Sequence, residues 1–334
     1  MRAVVLVGGF GTRLRPLTLT TPKPLLPVAH RPILELVLSN LARGGVTEAV
    51  LSLGFKPDAF EAAFAGGSCA GVRLVYAVEP EPLDTAGAIR FAAAMAGIDE
   101  RVIVVNGDVL TDLDVGALVA FHDAAGAEGT IHLTPVEDPS AFGVVPTDGD
   151  GRVEAFVEKP PPGEAPTNLV NAGTYVLEPT VLGRIPADRR VSIERETFPS
   201  MVVDGGLFAM PTDDYWLDAG RPDLYRQANI DVIAGRRRHI RGEALAVTAK
   251  VDPSAVVRSS VVGDHAAVGA GAVVERSVLL PGAAVEPGAK VVDSILGVGA
   301  VAGGSADLHD VVLGDGERVE PGRRLTAVRI PAPE

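Results

Sequence analysis

The chain has 334 residues, enough for two domains, and 47% of them are hydrophobic, as in a globular protein. Lys and Arg total 30 against 43 Asp and Glu, a net charge of −13 that argues against nucleic-acid and anionic-membrane partners, whose phosphates attract basic surface. Cys69 is the only cysteine, no run approaches the ~20 apolar residues of a bilayer-spanning helix, and the short apolar run Ala3 to Val7 meets Gly8-Gly9 without a cleavage site. An intrachain disulfide and a cysteine-based zinc site are thereby excluded, a cytoplasmic protein is expected, and any metal should be a hard, oxygen-ligated cation.

In chain order, Arg2 to Val7 reads as a buried strand that runs into Gly8-Gly9-Phe10-Gly11-Thr12-Arg13-Leu14-Arg15-Pro16-Leu17 and on to Pro22-Lys23-Pro24-Leu25. Glycine carries no Cβ, so successive backbone N–H groups can approach a polyphosphate there as a concave anion site, with Arg13 and Lys23 adding full positive charge. The spacing fits neither the phosphate loop ending in Gly-Lys-Ser/Thr nor the dinucleotide fingerprint, which needs a third small residue where Leu14 stands. A tight βα turn with solvated charges is the plainer alternative. Two prolines bracketing a lysine weigh against it, because they fix the direction of the chain at a conformational cost.

Pro32 suits the first turn of a helix, and Ile33, Leu34, Val37, Leu38 and Leu41 recur at helical spacing until Gly44-Gly45. Ala49 to Leu53, Val72 to Val78, Arg101 to Val105 and Thr130 to Leu133 read as further strands with helical patterns between them. That rhythm predicts a Rossmann-like α/β domain with a mostly parallel sheet. After Phe142, shorter extended segments (Gly143 to Val145, Val153 to Val157, Thr174 to Leu177) suggest a substrate-covering region built on the sheet.

Arg236-Arg237-Arg238-His239 follows the last helical pattern, and the composition then shifts to small residues, Val and Gly. The expected division is residues 1–240 and 241–334. In the second part Val256, Val262, Val268, Val274 and Leu280 recur every six residues, interleaved with Ala255, Val261, Ala267, Val273, Leu279, Val285 and Val291. The period slips near Ala302 to Asp310 and partly returns at Val319 to Leu325. A six-residue period predicts a left-handed parallel β-helix of hexapeptide repeats, about four or five coils of roughly 18 residues, whereas a β-sandwich would alternate at two.

The glycine-rich loop resembles the G-G-x-G-T-R-L-x-P-L-T…P-K-P-L signature of the sugar nucleotidyltransferases, the nucleotide-sugar pyrophosphorylases. Further matches follow in that family's order: Pro82-Leu83-Asp84-Thr85-Ala86-Gly87, Asn106-Gly107-Asp108, Phe142-Gly143-Val144-Val145, Phe156-Val157-Glu158-Lys159-Pro160, Asn171-Ala172-Gly173-Thr174-Tyr175 and Trp216-Leu217-Asp218-Ala219-Gly220. They cover nearly the whole chain, and with the hexapeptide tail they look most like the branch that uses GTP and mannose 1-phosphate. The reaction implied is attack of a sugar 1-phosphate oxygen on the α-phosphorus of a nucleoside triphosphate, giving GDP-mannose and pyrophosphate. A phosphate monoester has a second pKa of about 6, so this nucleophile is already ionised at neutral pH and needs no general base. No histidine stands in any of the motifs. The reaction does need alignment of two mutually repelling anions and neutralisation of the transferring group.

The resemblance also implies roles. Arg13, Lys23, Asp108 and Asp218 are the catalytic set, Lys23 balancing charge at the α-phosphate and Arg13 gripping pyrophosphate, while Asp108 and Asp218 hold Mg²⁺. Leu6, Gly8, Gly9, Gly11, Thr12, Arg13, Thr85, Gly87, Asn106 and Gly107 line the nucleotide, and Gly143, Glu158, Lys159 and Asn171 the sugar phosphate. Asp108 also stands out by position, because it ends an apolar run and so lies at the C-terminal edge of the sheet, where open α/β folds bind ligands. Read as residues alone, Asn-Gly-Asp and Asp-Ala-Gly are also turns, Asp213 and Asp214 lie near Asp218, and Glu158-Lys159 before Pro160-Pro161-Pro162 is also a solvated ion pair. Asp84 departs from the glycine usual in the family's Pro-Leu-Gly-Thr, and a carboxylate there narrows the space beside the nucleotide. Three alternatives stand: uridylyl, thymidylyl or adenylyl transfer to glucose 1-phosphate; a non-catalytic regulatory subunit that binds nucleotide sugar; and an added acyltransferase in the tail, where His265 and His309 are the only histidines. The expected assembly is a homo-oligomer joined through the β-helix, with no nucleic-acid or membrane partner.

Overall fold

The computed structural model describes residues 1–54, 57–187 and 189–332, so the last two residues of the expected tail lie outside the described residues. The chain forms two compact units. One combines Met1–Gly9 with Val37–Trp216, and the other combines Phe10–Leu36 with Leu217–Glu334.

The main strands of the first unit are β1 (Arg2–Leu6), β2 (Glu48–Leu53), β3 (Val72–Val78), β4 (Val102–Asn106), β5 (Gly129–Pro135), β6 (Leu169–Leu177) and β7 (Leu207–Pro211). They lie in the order β3-β2-β1-β4-β6-β5-β7. β3, β2, β1 and β4 run parallel, and β6 is antiparallel to both of its long neighbours, which is the mostly parallel sheet expected. Ala3, Val4 and Val5 are all fully buried because both faces of β1 are covered, so the strand is continuously apolar rather than alternating. The order of strands reverses at β1. The C-terminal ends of β1 and β4 therefore form a switch point, open to a ligand. Three helices follow strands in the sequence: α1 (Ile33–Arg43), α2 (Asp84–Met95) and α3 (Val115–Ala125). α1 is followed by Gly44, where a Cβ would stand 2.5 Å from that of Val115.

Two of the expected strands differ in extent. Thr174 to Leu177 is the second half of β6, whose register breaks between Asn171 and Tyr175 around Gly173 (φ 77°), and this bulge hides the first half from an alternating pattern. Val153 to Val157 is not one strand: Val153 bridges Thr147, and only Val157–Glu158 pairs with Gly143–Val144.

In the second unit, helix α4 (Pro222–Ile233) precedes a parallel β-helix. Lys250 pairs with Ala267, Ala267 with Ala284, Ala284 with Val301 and Val301 with Arg318, a 17-residue register repeated on the other two sides. Each coil thus has sides of six, six and five residues, against the uniform six of the sequence reading. The inward series runs Val262, Val268, Val274, Leu279, Val285, Val291, Leu296, Ala302, Leu308, Leu313 and Val319. Leu280 falls out of that series, and the slip near Ala302 to Asp310 is the short side recurring. At the corner before this side, Ser259, Arg276 and Asp293 adopt positive φ, and the buried Ser260, Ser277 and Ser294 follow. The amides of Ser277, Ser294 and Val311 each donate to the serine hydroxyl one coil earlier, at 3.0 Å, so a ladder of hydroxyls satisfies amides that a bend would leave buried and unpaired.

α4 is fastened to this tail by Arg226, whose Nη1 donates to Asp293 Oδ1 (2.9 Å) and to the carbonyl of Arg276 (3.2 Å). The Arg276 guanidinium binds the same carboxylate through two nitrogens and holds its pKa below the usual range.

Candidate active site

The glycine-rich loop begins at the end of β1. Gly8 lies against Gly54, whose nitrogen would be 3.2 Å from a Cβ at Gly8, whereas a Cβ at Gly9 would meet nothing within 4 Å. Gly11 has φ 60°, and a Cβ there would press on Thr18 and Lys23 at 3.0 and 3.2 Å, so conformation and space both require glycine. Thr12–Leu14 form a single 3-10 turn closed by Leu14 N–H to Gly11 O (2.9 Å) and Arg15 N–H to Thr12 O (3.1 Å). Buried Leu14 and Leu17 anchor the loop from beneath and leave the Arg13 side chain 66% exposed.

Lys23 does not share that exposure. Pro22 and Pro24 direct it inward, its side chain is 5% exposed, and Nζ donates to Asp218 Oδ1 at 2.9 Å. Arg13 Nη2 lies 3.6 Å from the other oxygen of the same carboxylate. Gly220 closes this cluster, because a Cβ there would fall 2.8 Å from Arg13 Nη2 and 2.9 Å from Asp218 Oδ1. Lys23 and Asp218, 195 residues apart, thus form one network with Arg13.

At the switch point the register sets Leu6 opposite Asn106, and Gly107 N–H donates to Leu6 O at 2.9 Å. A Cβ at Gly107 would strike Val7, and one at Gly173 would fall 2.5 Å from Asn106 Nδ2, so both glycines are set by the crowding of this edge. Asp108 follows in the turn, half-buried.

Thr85 and Gly87, expected beside the nucleotide, are engaged by a neighbouring segment at the start of α2. Thr85 Oγ1 donates to Glu194 Oε2 (2.7 Å) and accepts from Ile193 N (2.9 Å), while the amides of Ala86 and Gly87 both point to Val191 O. Asp84 has φ 63°, which accounts for the glycine usual at this point; aspartate is among the few other residues that tolerate it. Its Oδ1 accepts the Thr85 N–H at 2.8 Å, so the carboxylate turns back onto the helix start.

The sugar-side residues gather around a short antiparallel pair. Gly143 faces Glu158, and a Cβ on Gly143 would lie 2.7 Å from the Phe156 ring and 3.0 Å from Glu158 Oε2. Lys159 donates its N–H to Phe142 O; its side chain is 59% exposed, with Nζ 3.4 Å from Glu158 Oε1. Asn171 is held by two contacts: Nδ2 donates to the Tyr175 hydroxyl and Oδ1 accepts from Gly173 N, both at 2.9 Å. Burial, then Glu194, pushes the Tyr175 phenol far up, so this group is a neutral partner.

Three residues near these positions were given no role from the sequence, Trp216 entering it only as part of a motif. Trp216 Nε1 donates to Ala172 O and the ring meets Phe142 edge-on at 5.6 Å. Glu194 receives Thr85 and Ser192. Glu79 follows β3, accepts from Ser52 Oγ and Leu83 N at 3.0 Å each, and would touch a Cβ on Gly8 at 3.8 Å. The available signal for Glu79 was position: like Asp108, it follows a buried parallel strand at the ligand-facing edge.

No cluster of three or more His, Cys, Asp or Glu suited to a metal occurs among the described residues. The donors on offer are single carboxylates such as Asp108 and Asp218. A single carboxylate of this kind fits Mg²⁺, which takes one or two carboxylates and completes its octahedron with water and substrate phosphates. No helix of the described residues is long and apolar enough to cross a membrane.

A mostly parallel sheet with a switch point and a glycine-rich loop leaving its first strand are features of nucleotide-handling α/β proteins. Residues 2–235 match the Nucleotidyl transferase family model, and the chain belongs to that family. It is 42% identical over 285 residues to a mannose-1-phosphate guanylyltransferase of Mycobacterium tuberculosis, covering 83% of this chain and 79% of that one. A mannose-1-phosphate guanyltransferase of Schizosaccharomyces pombe is 41% identical over 268 residues, 77% of this chain and 73% of that one. Among solved structures, HddC from Yersinia pseudotuberculosis superposes with a TM-score of 0.59 at 30% identity, over 68% of this chain and 97% of that one. A Bacillus anthracis chain crystallised with sucrose has a TM-score of 0.64 at 24% identity, over 73% of this chain and 98% of that one, a likeness of fold alone.

Proposed function

We propose that this chain transfers a guanylyl group from GTP to mannose 1-phosphate, giving GDP-mannose and pyrophosphate, with Mg²⁺ as its cofactor. The observation that carries this reading is the network that ties Arg13 of the glycine-rich loop and the buried Lys23 to Asp218. A buried, pre-oriented ammonium is what an α-phosphate needs as charge builds on it, and it costs no reorganisation at the moment of reaction. The names of the relatives support the base and the sugar.

A mannose 1-phosphate oxygen forms the new bond to the α-phosphorus, the bond to the bridging oxygen breaks, and the electron pair leaves with pyrophosphate. Lys23 balances charge at the α-phosphate, and Arg13, exposed at the loop tip, grips the departing pyrophosphate. Leu6, Gly8, Gly9, Gly11, Thr12, Asn106 and Gly107 face the nucleotide, with Thr85 and Gly87 shaping the wall behind it. Lys159 meets the sugar phosphate and Glu158 a sugar hydroxyl, while Gly143 leaves room and Asn171 lines the pocket. Asp108 and Asp218 would hold Mg²⁺, which supplies Lewis-acid neutralisation of phosphate oxygens when bound. Residues 1–240 carry the transfer, and 241–334 join subunits of a cytoplasmic homo-oligomer.

Purified protein incubated with Mg²⁺, each of five nucleoside triphosphates and either mannose or glucose 1-phosphate should release pyrophosphate fastest with GTP and mannose 1-phosphate. Release only with UTP, dTTP or ATP would overturn the specificity. No release from any pair would favour a regulatory subunit.

A further inference from the structure

We infer that the last coil of the β-helix positions the Arg13 loop, making Arg329 and Asp315 positioning residues for phosphate contact. The inference rests on the reading that Arg13 meets substrate phosphate. The loop's own turn consumes the carbonyls of Gly11 and Thr12, and the next carbonyl, that of Arg13, accepts from Arg329 Nη1 at 3.0 Å. Five residues beyond the turn, Thr20 Oγ1 donates to Asp315 Oδ2. Between these two polar contacts Pro16 approaches Gly314 so closely that a Cβ on Gly314 would stand 3.1 Å from Pro16 Cβ. Three contacts of different kinds thus converge on one loop from one coil.

The coil is built to hold its side of these contacts. Asp315 Oδ1 accepts from Val298 N at 2.8 Å, Gly314 N–H donates to Ile330 O at 2.7 Å, and Arg329 pairs in register with Val312. Rigid, hydrogen-bonded strands are the firmest mounts a short loop can have. Arg13 is therefore gripped at both ends, its side chain by Asp218 and its backbone by Arg329. A guanidinium-to-carbonyl bond is charge-assisted, and its loss leaves the turn intact but free to rotate about Gly11, whose left-handed conformation is the natural pivot. Small misplacements of a phosphate-binding group are costly to rate.

The test uses the full chain in three forms: Arg329→Ala, Arg329→Lys, and Arg323→Ala as a tail arginine outside these contacts. Arg329→Ala should lower kcat roughly three- to tenfold while leaving the KM for mannose 1-phosphate unchanged, and Arg329→Lys should recover most of the loss. Amide exchange at Leu14 and Arg15 should accelerate in Arg329→Ala alone, with the exchange of Val278 and Ile295 in the earlier coils unaltered. Wild-type kinetics and exchange in Arg329→Ala would overturn the inference. So would a loss that lysine does not rescue and that comes with faster exchange throughout the tail, because that pattern is structural damage. Should Arg329→Ala not fold, Thr20→Val removes the Asp315 contact from the loop side and should give the same local exchange and rate signature; its absence would overturn the inference. A wild-type protein without turnover would fail the proposed function, while the exchange comparison would still decide whether the coil holds the loop.

Discussion

Lys23 and Lys159 are both assigned to phosphate, yet the fold treats them in opposite ways. Lys23 is 5% exposed and fixed on Asp218 at 2.9 Å, whereas Lys159 is 59% exposed and lies 3.4 Å from Glu158. The first is organised before any ligand arrives. The second is a solvated side chain beside Glu158, and on the proposed reading a phosphate would give it its geometry. A buried paired cation is suited to charge that develops in the transition state, and an exposed one to charge already present in the ground state.

Substitutions at the two sites should therefore fail differently. Lys23→Ala should lower kcat by about 100- to 1000-fold with the KM for GTP changed by less than about threefold; initial-rate kinetics decide, and a raised KM with unchanged kcat would break the contrast. Asp108→Asn should come next, lowering turnover on the order of 100-fold and raising the Mg²⁺ concentration needed for half-maximal rate, with chelation by EDTA abolishing release in the wild type. Lys159→Ala should mainly raise the KM for mannose 1-phosphate, about tenfold, without shifting the melting temperature, since an exposed ion pair is worth at most about 1 kcal/mol. A large fall in melting temperature would show that Lys159 is structural.

A buried histidine ties stability to pH. His132 on β5 is fully buried, its Nε2 meets Thr212 Oγ1 at 2.9 Å, and its Nδ1 has no partner among the described residues. Burial pushes its pKa down from 6.5 to about 4. Between these values the unfolded chain takes up a proton that the folded chain refuses, so stability is full above pH 6.5 and falls as the pH drops toward 4. The loss is on the order of 2 to 3 kcal/mol. Melting curves from pH 7 to 4.5 should be steeper for the wild type than for His132→Asn, and coincident slopes would refute the assignment.

Much of this was legible because local chemistry and global fold agree. β1 followed by Gly8-Gly9 and the Pro-Lys-Pro triplet announced a loop and its cation, and the succession of the strands along the chain followed from apolar runs. Features that depend on distant partners were not legible. That Asp218 meets Lys23 is a contact across 195 residues. Asp84 read as an intrusive charge, but its meaning is conformational, a left-handed backbone whose carboxylate folds onto its own helix. In the tail the six-residue period was visible and the five-residue side showed only as a slip near Ala302 to Asp310, because what fixes that side is the hydrogen-bonded stack of Ser260, Ser277 and Ser294.

The reverse reaction decides whether this chain is a transferase, since it needs only product, pyrophosphate and metal. GDP-mannose and pyrophosphate with Mg²⁺ should yield GTP and mannose 1-phosphate in equal amounts, saturably in both reactants, and Lys23→Ala should bind GDP-mannose nearly as well while losing this conversion. Tight binding of GDP-mannose by the wild type with no GTP formed would contradict the assignment and leave a nucleotide-sugar-binding protein in place of an enzyme.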